Sequence, residues 1–503
     1  MSRKTGRCEQ LSGSSRRDLL KAGAVLFASA PTLPSAAAAQ GLERADTRTV
    51  DRLVRQSADP NRRILVKGGT IVSLDRQVGD FERGDVLIQG KRIAAVAPNI
   101  ESSGAQVIDA SNTIVIPGFV DAHRHSWEGQ LRRINPNAPT LAAYSAATHL
   151  SFAKSYRPQD MYAGNLITAL GCIDAGITCI IDNSHNARSE RHSDEAIRAL
   201  LDSGIRAVHA SGAPQAGDWE HQWPQDLERL KKQYFASDDQ LVTLRMFSGP
   251  DRDNWMLARR LGLRITTEFN GPRAAEVIEP FFADKLVGPD NTFNHCGALP
   301  DNTWRHIHDV GVSVNVCPRS DSQYGLGEGI PGFQRALDYS IKPGFSIDNE
   351  TSYGTDMFTE MRVAFHIQRA IAANRKLNGD LNAPTPVSAR AVLECATVNG
   401  AACAGLSSKI GTITPGKEAD IVLIRTNEIN LYPSNNAIGT VVSAADSRNV
   451  DTVMIGGRVR KFRGRIIGLE WEKFQRMVDD SRSYLFERQG YKPDIFAEEF
   501  KLA

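Results

Sequence analysis

The sequence predicts an α/β fold: a (β/α)8 barrel of the TIM type, accompanied by a small β-sandwich domain formed from both chain ends. Two observations lead to it. The long middle of the chain alternates apolar, strand-like runs with helical stretches, which is typical of parallel strands joined by helices. Short β-rich runs separated by Gly and Asp turns flank that middle on both sides, so the two ends are expected to build one domain together.

The composition is that of an ordinary soluble globular protein, with 41% hydrophobic and 23% charged residues among 503. Lys and Arg number 60 and Asp and Glu 58, so there is no basic field to attract nucleic acid or an anionic membrane. The seven cysteines form no CxxC pair, which argues against a zinc ribbon or a thioredoxin-like redox site. These features leave a small molecule as the expected partner and leave homo-oligomerisation open.

Residues 1–40 have the pattern of a twin-arginine signal peptide. The segment 15–21 reads SRRDLLK, a mild apolar stretch follows at 22–30, and four alanines at 36–39 resemble a cleavage site. This order predicts export by the twin-arginine route to the periplasm or the medium. No later stretch reaches the roughly 18 uninterrupted apolar residues that a membrane helix needs, so no membrane span is expected in the mature protein.

The β-sandwich is predicted in two parts, at 62–116 and 405–470, after a polar segment at 41–61 that is expected to be a linker or a short helix. The first part contains the runs ILVKGGTIV and GDVLIQGKRIAAV, and the second contains GTITPGKEADIVLI and VMIGGRV. Gly and Asp turns between short β-branched runs are typical of antiparallel strands. Residues 471–503 are expected to form a C-terminal helical tail.

The barrel is predicted over 117–404. Its eight strand candidates are 113–120, 177–182, 205–210, 241–246, 263–268, 291–295, 312–316 and 344–348. A doubly wound sheet is the alternative, but no Gly-rich phosphate turn follows the first strand. In (β/α)8 barrels the carboxyl ends of the strands build the active site, so reactive side chains are sought there.

The first barrel strand ends in PGFVDAHRH, which contains His123 and His125. Side-chain direction in a strand repeats every two residues, so both imidazoles point the same way. They are able to share one metal ion at nitrogen distances of about 2.0–2.1 Å. An HxH pair alone is a weak indication of a metal site, and it becomes a strong one when it follows the segment PGFVDA at the end of a strand.

Two further strand ends supply His295 and Asp348. Taken singly, such a His could serve in a loop hydrogen bond and such an Asp could cap a helix. Together with the HxH pair they form a set of three histidines and one carboxylate, which suits zinc or ferrous iron and leaves room for a water.

The sequence resembles the amidohydrolase superfamily, in its branch of chlorohydrolases, cytosine deaminases and related aminohydrolases. The segments that carry the resemblance, in the correct order from about residue 62 to 470, are KGGTIV, PGFVDAHRH, NHC, CPRS, SID followed by DMFTEMR, ATVNGA and GTITPGKEADIVL. The resemblance implies that His123, His125 and His295 bind one divalent metal ion, most simply zinc, with iron as the alternative. It also implies that Asp348 binds the metal and takes the proton from the attacking water.

The fifth strand departs from the pattern of this family, which places a metal-binding His there. In the preferred alignment Glu268 occupies the position of that His, and Gly271 replaces a catalytic Glu found three residues later in many members. A shifted alignment would make Glu268 the catalytic Glu and would leave Ile265 in the ligand position. Three readings stay open: Glu268 is a ligand, Glu268 is an acid/base that does not bind the metal, or the site is weak or inactive.

The predicted function is that of a metal-dependent hydrolase acting on a non-peptide C–N bond, in an amide, a cyclic amide or an aminated heterocycle. Two alternatives remain, a hydrolytic dehalogenation of an aromatic ring and a binding protein on the same barrel whose catalysis is weakened. The long connection at 135–156 is a candidate lid. The residues expected to contact substrate are His185, Trp127, Asn183, His209 and Arg319.

Overall fold

The computed structural model describes residues 48–56, 59–101, 103–498 and 500–501. The predicted signal peptide and Cys8 lie outside these residues. No helix in the described part of the chain is both long and apolar enough to cross a membrane. Seventeen strands occur in these ranges: β1 Arg63–Ile71, β2 Phe81–Gln89, β3 Arg92–Ala97, β4 Gln106–Asp109, β5 Thr113–Pro117, β6 Phe119–Arg124, β7 Ile177–Ser184, β8 Arg206–Ser211, β9 Val242–Phe247, β10 Ile265–Phe269, β11 Asn291–His295, β12 Ser313–Val316, β13 Gly344–Phe345, β14 Ile421–Arg425, β15 Val450–Ile455, β16 Arg458–Phe462 and β17 Arg465–Ile466.

The helices alternate with the strands in the middle of the chain. They span 48–56, Leu141–Ala147, Pro158–Asp174, Glu190–Ser203, Asp226–Tyr234, Arg252–Arg260, Gly271–Ala283, Asp301–Val310, Pro318–Gln323, Phe333–Asp338, Met357–Leu377, Ala389–Glu394, Gly400–Cys403, Ala437–Gly439 and Trp471–Arg488. Short 3-10 or π turns occur at Ser126–Leu131, Phe152–Ser155, Leu326–Gly329, Cys395–Asn399, Thr440–Ala444 and Ser447–Asn449.

Strands β6 to β13 form the predicted barrel. They lie side by side in chain order, and every adjacent pair is parallel. The first and eighth strands meet just beyond β13, where the backbone N–H of Asp348 donates to the carbonyl of His123 at 3.0 Å and the N–H of His125 donates to the carbonyl of Asp348 at 2.8 Å. The seam that closes the barrel therefore runs through three of the predicted site residues.

The first predicted barrel strand, 113–120, proves to be two elements. Residues 113–117 form β5, which pairs antiparallel with β14 in the other sheet, and the barrel strand β6 starts at Phe119. Gly118 joins them, and a Cβ atom at this position would stand 2.1 Å from the Oγ1 of Thr178. Both strands are fully buried, so their apolar residues form one continuous run in the sequence. The sequence pattern therefore did not reveal that one strand ends and another begins at Gly118.

The two chain ends build a nine-stranded sheet, as the β-rich flanks predict. Its order is β17-β16-β15-β14-β5-β1-β2-β3, with β4 paired to β1. The joint with the barrel contains a buried Arg206, at the start of β8, which donates to the carboxylates of Glu418 at 2.7 Å and Asp420 at 2.8 Å. A buried guanidinium needs such partners, since an unpaired charge there would be strongly destabilising.

The barrel is filled where its strands begin. Helix Gly400–Cys403 closes this end: the carbonyl of Cys403 accepts from Arg245 at 2.8 Å and from Thr292 at 3.2 Å. A packed lower half is usual for this fold, and it leaves the opposite end, where the strands finish, for chemistry.

Candidate metal centre

His123 and His125 lie at the end of β6 and are buried. Their ring centroids are 4.7 Å apart. Both Nε2 atoms face the same carboxylate oxygen, Oδ1 of Asp348, at 3.2 Å each. The alternation of side chains along the strand and the closing seam together bring these three residues to one point, as the sequence predicts.

Glu268 joins this group from β10. Its Oε1 is 3.3 Å from Nε2 of His123 and 3.9 Å from Nε2 of His125. Ile265, the alternative residue for the ligand position, is buried in the hydrophobic core, and Gly271 already begins the next helix. The structure thus places the carboxylate of Glu268 beside the HxH pair.

His295, at the end of β11, completes the group. Its Nε2 is 3.1 Å from Oε2 of Glu268, and its Nδ1 is 2.7 Å from Oδ1 of the buried Asp321. His295 and Asp348 have φ angles of 68° and 73°, a left-handed conformation that non-glycine residues rarely adopt. Backbone strain of this kind clusters at functional sites, where the surrounding structure enforces it.

The donor set fits a single divalent cation. With metal–ligand bonds near 2.0–2.2 Å, tetrahedral donors stand about 3.3–3.6 Å apart, and the contacts between the imidazole and carboxylate atoms span 3.1–3.9 Å. The Nε2 of His123 is buried without a hydrogen-bond partner, which is costly unless something else occupies its lone pair. His123, His125 and Glu268 lie close enough to hold an ion, and so do His123, His295 and Cys317.

The electrostatics keep both carboxylates ionised. Partial desolvation by the surrounding protein opposes the charge of Glu268, but the neighbouring His123 and the hydrogen bond from His295 lower its pKa to about 2. Burial likewise opposes the charge of Asp348, but the imidazoles of His123 and His125, each 3.2 Å away, hold its pKa well below the ordinary value. Anionic oxygen ligands are therefore present at neutral pH.

The pKa values of two imidazoles, those of His125 and His295, are raised. Burial disfavours the charged form of His125, but the hydrogen bond and charge of Asp348 raise its pKa to about 9. Burial also opposes the charge of His295, whose pKa is nevertheless held well above the ordinary value by Cys317 and Asp321. A cation bound here would take the place of these protons.

Neighbouring polar groups contact the atoms of the candidate ligands that do not face the cation site. The amides of Asn183 and Asn294 both contact Nδ1 of His123, the latter at 3.0 Å. The Oδ2 of Asp348 accepts a hydrogen bond from Ser320 and another, at 3.3 Å, from Asn349. Such outer partners fix ring orientation and tautomer in metal sites, so Asn183, predicted to contact substrate, is placed against a candidate ligand.

The other predicted substrate residues have different surroundings. The Nδ1 of His209 is 2.9 Å from Oδ2 of Asp182, one strand away. The guanidinium of Arg319 donates to Glu360 and to the carbonyl of Gly354. These contacts account for both side chains structurally, and their role toward a substrate stays a prediction.

Trp127 and His185 lie together at the rim of the group. Their ring centroids are 5.7 Å apart, and both rings also pack against His149, at 5.6 and 4.8 Å. His185 is buried, and burial together with the positive charge of nearby histidines holds its pKa well below the ordinary value. It is therefore a neutral imidazole with one donor and one acceptor nitrogen.

Sequence reasoning missed His149, Glu128 and Tyr144. The buried carboxylate of Glu128 accepts a hydrogen bond from Tyr144 at 2.7 Å and is 3.4 Å from Nε2 of His149. Two of these residues come from the connection at 135–156, where no periodic pattern marks a buried side chain. Asp321 and Ser320 were missed for a similar reason, because each acts on a site residue from outside the strand ends.

Comparison with known proteins supports the amidohydrolase superfamily. The model of the amidohydrolase family matches residues 276–460. The 5-methylthioadenosine/S-adenosylhomocysteine deaminase of Pyrococcus abyssi is 26% identical over 436 residues, covering 82% of this chain and 96% of its own. The 5'-deoxyadenosine deaminase of Methanothermobacter thermautotrophicus is 28% identical over 440 residues, covering 82% and 96%.

Solved structures confirm the fold. An adenosine deaminase from Xanthomonas campestris with bound zinc superposes with a TM-score of 0.71 at 20% identity, covering 84% of this chain and 98% of its own. A variant of atrazine chlorohydrolase from Arthrobacter aurescens, complexed with zinc and atraton, gives a TM-score of 0.72 at 21% identity, covering 84% and 100%. The predicted (β/α)8 fold is confirmed, and the predicted enzyme class, a hydrolase acting on non-peptide C–N bonds, agrees with the names of the deaminases.

Proposed function

We propose that this chain is a metal-dependent hydrolase that cleaves a non-peptide C–N bond of a small molecule, and that its first substrate class is an aminated heterocycle. The observation that carries the proposal is the position of the Asp348 carboxylate, 3.2 Å from both Nε2 atoms of the HxH pair. A carboxylate at that point can serve the metal and a water at once. The naming of the relatives as deaminases of adenosine-type compounds supports the choice of substrate class.

The residues that would hold the cation are His123, His125, Asp348, Glu268 and His295. Imidazole nitrogen and carboxylate oxygen donors suit zinc, with ferrous iron as the alternative. When bound, such a cation lowers the pKa of water from about 15.7 to about 7 and polarises the carbon under attack.

Asp348 is the proposed general base and acid. Its Oδ1 faces the cation site, and its Oδ2 is held by Ser320 and Asn349, so the carboxylate cannot turn away from the reacting water. It would accept the proton of that water and return it to the departing nitrogen, which is general acid–base work. A low pKa keeps the group ionised before reaction, as the first step requires.

Glu268 is the proposed carboxylate ligand of the fifth strand. Its side chain is 37% exposed, in contrast to Asp348 at 6%, so it borders the side from which a substrate enters. From this position it can bind the cation or exchange a proton with the substrate. Glu268→Gln distinguishes the two roles, because loss of a ligand lowers metal content and loss of an acid/base lowers turnover alone.

The test is metal analysis of the purified protein together with a panel of adenosine-type nucleosides, amino- and chloro-triazines, amides and cyclic amides. We expect about one divalent cation per chain, loss of turnover on chelation, and ammonia as the product from an aminated heterocycle. Asp348→Asn serves as the matched control and should abolish turnover of every compound. Chloride release alone would shift the function to dehalogenation, and folded, metal-free protein without turnover would overturn the proposal in favour of a binding protein.

We further propose that the enzyme acts outside the cytoplasm. The proposal rests on the twin-arginine pattern at 15–21. Replacing both arginines, Arg16→Lys with Arg17→Lys, should retain the full-length protein in the cytoplasmic fraction, whereas the unaltered chain should appear in the periplasm or medium. Equal distribution of the two proteins would contradict it.

A further inference from the structure

His185 has an unusual contact for a residue expected to touch substrate. It follows β7, is buried, and its Nε2 lies 2.8 Å from Nδ1 of His125. A separation of 2.8 Å between two ring nitrogens is a hydrogen bond, so one nitrogen donates and the other accepts. His185 therefore acts directly on a candidate metal ligand.

The direction of this hydrogen bond follows from the geometry of His125. Its Nε2 faces the carboxylates of Asp348 and Glu268 at 3.2 and 3.9 Å, so this nitrogen must offer a lone pair if it binds a cation. The ring proton then resides on Nδ1 and points to Nε2 of His185, which accepts it. The carbonyl of Asn183, at 3.3 Å, is the longer and secondary acceptor.

Packing fixes the ring of His185 in this orientation. The centroids of His149, Phe247 and Trp127 lie 4.8, 5.4 and 5.7 Å from its own. His149 is in turn held by the carboxylate of Glu128 at 3.4 Å. The ring that accepts from His125 therefore has little freedom to turn, and a fixed acceptor fixes its donor.

We propose that His185 is a positioning residue of the metal site, which sets the tautomer and the ring orientation of His125. The inference rests on the proposed function, because it needs His125 to bind a cation. It assigns to the side chain after the second barrel strand a role in metal affinity and not in substrate contact. Outer-shell hydrogen bonds of this kind typically change metal affinity by about 10- to 100-fold when lost.

The experiment measures zinc affinity by chelator competition in three variants. His185→Phe keeps a ring but has no acceptor, and should bind zinc about 10- to 100-fold more weakly. His185→Gln carries an amide oxygen long enough to accept from His125, so its zinc affinity should stay close to that of the unaltered protein. His185→Asn is shorter and should bind zinc more weakly than His185→Gln. His192→Phe is the control, since that histidine is also buried and hydrogen-bonds to Ser189 and the carbonyl of Tyr156 instead.

Steady-state kinetics at saturating zinc supply the second readout. A positioning role predicts that KM of His185→Phe remains close to normal once the site is filled. Unchanged zinc affinity with a raised KM would overturn the inference and make His185 a substrate contact. If His185→Phe does not fold, equal zinc affinity of the Gln and Asn variants would overturn it as well. Failure of the unaltered protein to bind zinc would instead contradict the proposed function.

Discussion

The two sides of the candidate metal site are built differently. One side, here called the closed wall, consists of His123, His125 and Asp348, which are buried and joined by backbone hydrogen bonds across the barrel seam. The other, the open wall, consists of Glu268 and His295, and the Glu268 side chain is 37% exposed. Both walls stand on barrel strands, and His295 is buried like the closed wall. The difference lies in the Glu268 carboxylate, which is exposed and is positioned by its side-chain contacts with His123 and His295.

The difference indicates a division of labour. A donor fixed by the barrel loses little conformational entropy on binding a cation, and a donor on an exposed side chain loses more. The closed wall is therefore expected to supply most of the metal affinity, and the open wall is free to vary. On the preferred alignment, this division would let Glu268 replace the expected histidine while the buried donors keep their geometry.

The largest effect is expected from the closed wall. His123→Asn removes a fully buried imidazole whose Nε2 makes no hydrogen bond. We expect loss of the cation and a fall in turnover of about 10³-fold or more, since a metal ion supplies several kcal/mol of transition-state stabilisation. Metal analysis and kcat measure it. His192→Asn, at a buried histidine with partners outside the site, should change neither. Retention of the cation by His123→Asn would contradict the division.

The dependence of metal affinity on pH tests whether His125 of the closed wall and His295 of the open wall both bind the cation. The pKa of His125 is raised to about 9, so below that pH a cation must displace its proton, and affinity should rise about tenfold per pH unit. The pKa of His295 is also raised, so ligation by both should give about 100-fold per unit. Titration between pH 6 and 8 by chelator competition distinguishes the slopes, and a flat profile would exclude ligation by either residue.

The raised pKa of His125 also makes the stability of the metal-free protein depend on pH, and this stability falls as the pH rises. A folded-state pKa of about 9 for His125, against about 6.5 when unfolded, contributes stability that is complete below pH 6.5 and is lost as pH rises through 9. Thermal unfolding of metal-free protein should therefore show a falling Tm over this range, which added zinc should reverse.

Glu268→Gln acts on the open wall, and the expected effect is smaller. The neutral amide is a poorer ligand than a carboxylate, so we expect metal affinity to fall, but by less than in His123→Asn, which removes a buried donor. Glu268→His should bind the cation more tightly than Glu268→Gln, because it supplies the imidazole that the resemblance predicts at this position. Glu276→Gln on the following helix is the exposed control. If Glu268→Gln keeps full metal content and loses turnover, Glu268 is an acid/base and not a ligand.

The sequence was sufficient to predict the barrel, the sheet from both chain ends and the strand ends that supply His123, His125, His295 and Asp348. These features depend on period, burial and position along a strand, all of which are local. The break at Gly118 escaped because two buried strands in different sheets give one continuous apolar run. His149 and Glu128 were not predicted because their contacts span a long connection, and Asp321 was not predicted because it contacts His295 from a helix that follows β12.

The smallest effect is expected from the support behind the closed wall. Ser320→Ala removes one hydrogen bond to Oδ2 of Asp348 and leaves the longer one from Asn349. One hydrogen bond to a charged group contributes about 1.5 kcal/mol, so kcat should fall about tenfold while metal content is kept. Ser322→Ala is the matched control, because its hydroxyl lies on the same helix and donates to the carbonyl of Pro318. A loss of metal equal to that of His123→Asn would show that the seam alone does not hold Asp348, and the closed wall would then depend on side-chain contacts as much as the open one.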